Sequence, residues 1–371
     1  GSGMIKRFIE NVGWPRFIIG LFLLSLFIAA PFVGVRVDTS LSDVLVRFGM
    51  NGVMVLAMIP MVQSGCGLNF GLPLGIIAGL LGATLSIEFN QRILTFAAEL
   101  AVGRPWLAFL ASEAARAPLS FASAIVIAVP IAAVLGFFYG KLLNRVKGDE
   151  MMIATYVGFS SVAFMCIAWL LMPYRSPTMI WGYGGSGLRT TISVNGYWLH
   201  VLNDLFSFQE GHLFVPTGTF LFFAVLALLM WVFMRSKTGT AMTAVGSNPD
   251  FARASGVNVD RMRTISVVLS TILGAVGILV YEQSFGFIQL YMGPFYMALP
   301  AVASVLLGGA SVNKAGIVNV IVGTFLFQGI LTMTPSVINS VLQTDMSEVI
   351  RIIVSNGMIL YALTRKVRVK R

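Results

Sequence analysis

The chain has 371 residues, of which 57% are hydrophobic and 11% charged, with 25 Lys and Arg against 15 Asp and Glu for a formal net charge of +10. Soluble domains carry roughly a quarter charged residues, enough to coat an apolar core. This composition therefore excludes a soluble enzyme, a nucleic-acid-binding module and a disordered regulator.

The sequence reads as an all-α polytopic membrane protein with about ten apolar segments, at 17–35, 44–63, 68–87, 119–140, 151–172, 217–234, 264–282, 296–310, 316–333 and 349–364. A bilayer core of roughly 30 Å needs about 20 apolar residues per helix. Each backbone N–H and C=O must find its partner inside such a segment. The runs are continuous and lack the alternation of transmembrane strands, so helices are expected and a barrel is not. The third and eighth segments are rich in glycine and the eighth is short, which marks both as broken or tilted. The leading Gly-Ser-Gly reads as an expression scar. The expected organisation is a tail at 1–16, one transmembrane domain at 17–364 holding a large loop at 235–263, and a basic tail at 365–371.

Charge gives the orientation. With the N-terminus inside, residues 1–16, 64–67, 141–150, 235–263, 311–315 and 365–371 face the cytoplasm and hold 17 of the 25 basic residues but five of the 15 acidic ones. That asymmetry follows the positive-inside rule and places both termini in the cytoplasm. The basic excess is thereby explained without a nucleic-acid partner. Two exterior segments exceed simple turns. Residues 88–118 mix Glu88, Arg92, Glu99, Arg104, Glu113 and Arg116 with Ala and Leu, as in an amphipathic piece on the membrane surface. Residues 173–216 are rich in Gly, Ser, Tyr and Trp and contain His200 and His212, which read as surface residues rather than ligands. Cys66 and Cys166 lie in apolar stretches and read as buried thiols, so no metal site is expected.

The loop RSKTGTAMTAVGSNPDFARASGVNVDRMR, residues 235–263, carries a short helix. Asn248 is a natural cap, Pro249 suits the first helical position, Asp250 complements the helix dipole and Gly256 ends the helix. The helix spans about two turns, Pro249 to Ser255, with Arg253 in its last turn and a face of Phe251, Ala252, Ala254 and Ser255. One aromatic knob among small residues suits docking into a groove of a cytoplasmic partner; a solvated connector is the alternative.

Residues 244–257, AVGSNPDFARASGV, resemble the cytoplasmic loop signature of permease subunits of bacterial ABC importers for simple sugars and nucleosides, with branched-chain amino acid permeases more distant. Residues 304–326, SVLLGGASVNKAGIVNVIVGTFL, are similar to the Gly-rich stretch of that family. Residues 140–164, GKLLNRVKGDEMMIATYVGFSSVAF, are similar to the segment of nucleoside-type members in which a Glu precedes a Thr-bearing span. The chain departs from the family at Asn313-Lys314-Ala315, where more glycine is usual, and at Gly67-Leu68-Asn69-Phe70, which lacks the acidic residue common in sugar permeases. The resemblance implies a multi-pass subunit of the bacterial inner membrane, itself no enzyme. It pairs with a second permease subunit, a cytoplasmic ABC ATPase and an extracytoplasmic substrate-binding protein. ATP and magnesium then belong to the ATPase and this chain has no cofactor. The residues agree: there is no G-x-x-x-x-G-K-[ST] phosphate loop, since Gly140-Lys141 is followed by Leu142 and lacks the earlier glycine. The short helix is then the element through which ATP hydrolysis tilts the spans.

GIIAGLLG at 75–82 and GIVNVIVG at 316–323 share glycines at one separation, and Pro60…Gly67 is similar to Pro300…Gly308; this suggests an internal repeat of the kind that borders transport paths, or glycines that allow close helix packing. Charges at mid-depth are almost absent. Arg47, Glu282 and Arg351 fall near outer ends, where long side chains snorkel, so ion coupling through an intramembrane carboxylate is not expected and a neutral polar solute is. Polar groups available for a path are Gln63, Asn69, Thr155, Tyr156, Ser160, Asn319 and Gln328, each equally able to hydrogen-bond a neighbouring helix, while Phe70 and Tyr156 suit stacking on a sugar or base. An ion-coupled secondary transporter is the competing reading.

Overall fold

Long apolar runs leave the backbone no partner but itself, and the computed structural model accordingly shows fifteen α-helices among the residues it describes: 2–185, 187–343 and 346–364. The basic tail at 365–371 lies outside them. In chain order the helices are α1 Ser2–Val12, α2 Trp14–Ala29, α3 Val37–Leu56, α4 Met58–Gln63, α5 Leu72–Glu88, α6 Asn90–Ala101, α7 Arg116–Arg145, α8 Glu150–Leu171, α9 Thr217–Arg235, α10 Lys237–Ser247, α11 Pro249–Ala254, α12 Val259–Phe285, α13 Gly293–Leu307, α14 Ile317–Leu342 and α15 Ser347–Thr364. Among the described residues eight apolar stretches are of membrane length, with α3 and α4 counted together. Each of the ten expected segments coincides with an apolar helix. Of the two flagged as irregular, the 68–87 segment is carried by the single helix α5, whose 71° bend into α6 lies just beyond it at Phe89. The 296–310 segment is carried by α13, only 15 residues long with Pro300 inside it. The 44–63 segment is the one divided, between α3 and α4 at Ala57. The chain is a multi-pass, all-α membrane protein.

The centre of the fold is built by backbone approach. A Cβ at Gly75 would lie 2.7 Å from the carbonyl of Thr271, and one at Gly79 would strike the carbonyl of Ala275, both on α12. A Cβ at Gly82 would reach the Ala124 carbonyl of α7 at 2.6 Å, and one at Gly136 the Val268 Cα of α12 at 2.9 Å. Glycine on α5 and α7 thus brings α5, α7 and α12 together at backbone distance, the small-residue packing expected where lipid offers no hydrophobic drive between helices.

The two long connecting segments, 88–118 and 173–216, are tied down by polar contacts. The Glu88 carboxylate accepts from the backbone N–H of Arg175 and Ser176, each at 3.0 Å. Strand β1, Thr191–Ser193, pairs antiparallel with β4, Phe287–Gln289, while β2, Phe208–Glu210, and β3, Leu213–Val215, form a hairpin. The buried Gln283 accepts from the backbone N–H of Leu202 and Asn203. His212 is exposed, and His200 is half-buried with its Nδ1 enclosed by protein. Within 88–118, Phe96, Val102, Trp106 and Phe109 are exposed.

Candidate functional site

The loop between α9 and α12 is a chain of capped short helices. The Ser236 hydroxyl accepts from the backbone N–H of Gly239 at 3.3 Å at the start of α10. Asn248 Oδ1 accepts from the backbone N–H of Phe251 at 3.1 Å at the start of α11, and Asn258 Oδ1 accepts from that of Arg261 at 3.1 Å at the start of α12. These satisfy N–H groups that a helix start leaves unpaired. Pro249 occupies the first turn of α11. Beyond its last residue, Gly256 adopts φ +89° and the Val257 N–H returns to the Ala252 carbonyl at 3.0 Å. Phe251 is 66% exposed, with Asp250, Arg253, Ala254 and Ser255 also open. Ala252 departs from the expected face: it is 1% exposed and packs with Val245 and Val259. Its methyl group fastens α11 to the protein and leaves Phe251 projecting.

The loop rests on the membrane domain through bare backbone. Gly246, two residues before the Asn248 cap, lies so close to the 63–65 segment that a Cβ there would strike the Gln63 carbonyl and lie 3.1 Å from the Gly65 nitrogen. Gly65 and Gly67 take φ +86° and +78° in the non-helical stretch between α4 and α5, a conformation that favours glycine. From the same place the Gln63 side-chain amide donates to the Ala315 carbonyl at 2.5 Å, in the second glycine-rich turn, between α13 and α14. Asn319 holds that turn: its amide donates to the Gly308 carbonyl at 2.8 Å, and its Oδ1 accepts from the Gly316 N–H at 2.9 Å. Arg16, at the start of α2, also donates to the Gly308 carbonyl, at 3.2 Å. The capped loop and both Gly-rich turns therefore meet at one end of the bundle.

At that end α12 is fixed to the α7–α8 connection. Arg263 pairs with Glu150 at 2.7 Å, their side chains 8% and 12% exposed, and Asn144 Oδ1 accepts from Arg263 Nε at 3.0 Å. Lys147 and Asp260 form an exposed pair at 2.5 Å.

The polar residues singled out for a path divide into groups. Gln63 and Asn319 bridge the turns. Asn69 is fully buried, donating to Ser270 at 2.7 Å and accepting from the Tyr139 hydroxyl at 2.9 Å. Gln328 is buried in α14. Phe70 and Thr155 come together, with Pro73, Phe159, Phe295 and Val302, around a cleft of about 40 Å³ where α5, α8 and α13 converge. That space holds a few waters, not a monosaccharide. Tyr156 and Ser160 lie on the open face of α8.

Glu282 does not snorkel as expected. It is 0% exposed in the last turn of α12, and neither carboxyl oxygen has a hydrogen-bond partner among the described residues. It lies among the buried Leu279, Val280 and Gln283 of α12, so a position near the end of the helix gives it no access to water. This burial, like the backbone contact at Gly246, depends on which helices surround α12 and left no signal in local sequence.

A family model described as branched-chain amino acid transport system / permease component matches residues 40–362. The chain is 24% identical to the ribose import permease protein RbsC of Escherichia coli K12 over 292 residues, 77% of this chain and 75% of that one. It is 24% identical to the galactofuranose transporter permease protein YtfT of the same strain over 297 residues, 78% of each chain. It is 29% identical to the autoinducer 2 import system permease protein LsrC of Klebsiella pneumoniae over 175 residues, which span 46% of this chain and half the length of that permease. With nearly its whole apolar domain matched, the chain belongs to the family of branched-chain amino acid transport system permease components.

Proposed function

We propose that the chain forms the membrane path of an ATP-driven importer for a neutral sugar-like solute, a simple sugar or a nucleoside. A second permease subunit, identical or related, completes the path along the open face of α8. A cytoplasmic ATPase docks on α11 around Phe251, and an extracytoplasmic binding protein delivers the solute. The setting is a bacterial inner membrane with both termini inside. One observation carries the reading: the capped helix that projects Phe251 is continuous with Gly246, which lies against the turn that also hydrogen-bonds the second turn through Gln63. Motion imposed on α11 reaches both turns through contacts that have no slack. The names of the sugar-importing relatives support the substrate class.

The test is reconstitution with a partner ATPase and a binding protein. Uptake of ribose or galactose into proteoliposomes is expected to require all three components and ATP; uptake without the ATPase would reject the proposal.

A second reading, an ion-coupled carrier, has Glu282 in its favour, since a buried unpartnered carboxyl within a span is costly and commonly functional. It requires that Glu282→Gln abolish uptake and that an ionophore do the same. The importer reading requires that ATP-driven uptake survive both.

A further inference from the structure

We infer that α1 lies in the plane of the membrane and takes the acidic lipid headgroups of the leaflet on the loop side as its partner; naming that leaflet cytoplasmic rests on the orientation proposed above. At about 100° per residue, Met4, Ile5, Phe8, Ile9 and Val12 fall on one side of the helix, and Lys6, Arg7, Glu10 and Asn11 on the other. Only Ile9 of the apolar set is buried by protein, whereas Met4, Ile5 and Phe8 are 80%, 59% and 58% exposed. A helix so divided, with apolar side chains left uncovered, is the interfacial type rather than a spanning one.

Three observations commit the uncovered face to lipid rather than to a protein. Past Gly13, exposed apolar side chains follow on α2 at Trp14, Ile18, Leu21 and Phe22, and α2 belongs to a membrane-length helix. Trp14 follows the elbow at Gly13, φ +87°, and places the junction at the level where tryptophan sits in membranes. Phe17 receives both Phe8 and Trp14 edge-on, at 6.5 and 6.3 Å, so the elbow is a packed corner rather than a loose link. The polar face carries Lys6 and Arg7 against Glu10, a net positive surface suited to anionic headgroups. The depth and side are fixed by Arg16, which donates to the Gly308 carbonyl and crowds Gly309, the turn joined to Gln63 and through it to Gly246. Acidic lipid therefore holds one end of an arm whose other end grips a turn at the mouth of the bundle.

The experiment uses the full chain with Cys66→Ala and Cys166→Ala, spin-labelled at single sites and reconstituted in phosphatidylcholine with or without phosphatidylglycerol. Labels at Ile5→Cys, Phe8→Cys and Val12→Cys are expected to collide with oxygen, and labels at Lys6→Cys, Arg7→Cys and Glu10→Cys with a water-soluble nickel chelate. With phosphatidylglycerol present, the ratio of immersed to solvated label at Phe8→Cys is expected to fall about fivefold for each charge removed in Lys6→Gln and Arg7→Gln. Equal nickel access at all six sites, or immersion that appears only on adding the ATPase, overturns the lipid contact and leaves the transport reading intact. In intact spheroplasts, labelling of Glu10→Cys by an impermeant maleimide added outside, with Asn195→Cys left unreacted, overturns the orientation instead, and with it the leaflet.

Discussion

Gln63 and Ala315 are 252 residues apart in sequence, and the side-chain amide of the first donates to the backbone carbonyl of the second at 2.5 Å. This hydrogen bond joins the glycine-bearing stretch between α4 and α5 to the turn between α13 and α14. Its loss should register less in stability than in coordination. Gln63→Ala is expected to destabilise by about 1 kcal/mol, the net worth of one such bond. Uptake per ATP hydrolysed should drop several-fold, and parallel thermal unfolding and transport assays separate the two effects.

Gly246→Ala tests the backbone contact itself. Alanine ordinarily favours a helix over glycine by about 1 kcal/mol, so a helix-propensity account expects stabilisation. The Gln63 carbonyl and Gly65 nitrogen are backbone atoms that cannot swing aside. Overpacking of about 1–3 kcal/mol is therefore expected to win, seen as a lower midpoint of thermal unfolding in detergent.

Phe251→Asp addresses docking. The side chain is mostly exposed and the Asn248 cap does not involve it, so membrane insertion and unfolding temperature should match the parent. Co-purification of the ATPase and ATP-driven uptake should both be lost. Full coupling in this variant would remove α11 as the docking element.

Arg263→Ala leaves Glu150 nearly enclosed and unpaired. Breaking a buried pair from one side costs about 3–5 kcal/mol, and yields of folded protein should fall accordingly. The double change Glu150→Met with Arg263→Leu removes both charges and should recover most of that loss, as read by unfolding midpoints.

Much of the architecture is legible along the chain because a lipid-facing helix is written in consecutive residues. The ten apolar runs and the short helix around Pro300 appear where local composition places them. The α11 cap is equally local, since Asn248, Pro249 and Gly256 act on neighbours within a few residues. Properties set by partners distant in sequence are not legible. The inward turn of Ala252 needs Val259 of α12, the enclosure of Glu282 needs the helices that surround α12, and the engagement of Asn69 needs Tyr139 and Ser270. In each case a residue type that suits a path or a surface is equally suited to an internal joint, and only the fold decides between them.

The glycine contacts among α5, α7 and α12 restrict how such a protein can move. Where main chain touches main chain there is no lubricating layer of rotamers, so sliding by a fraction of a turn would drive carbonyls into Cα atoms. These three helices must travel as a single keel. Opening and closing of any passage then falls to the helices hinged around it, where side chains can be exchanged for one another as the angle changes.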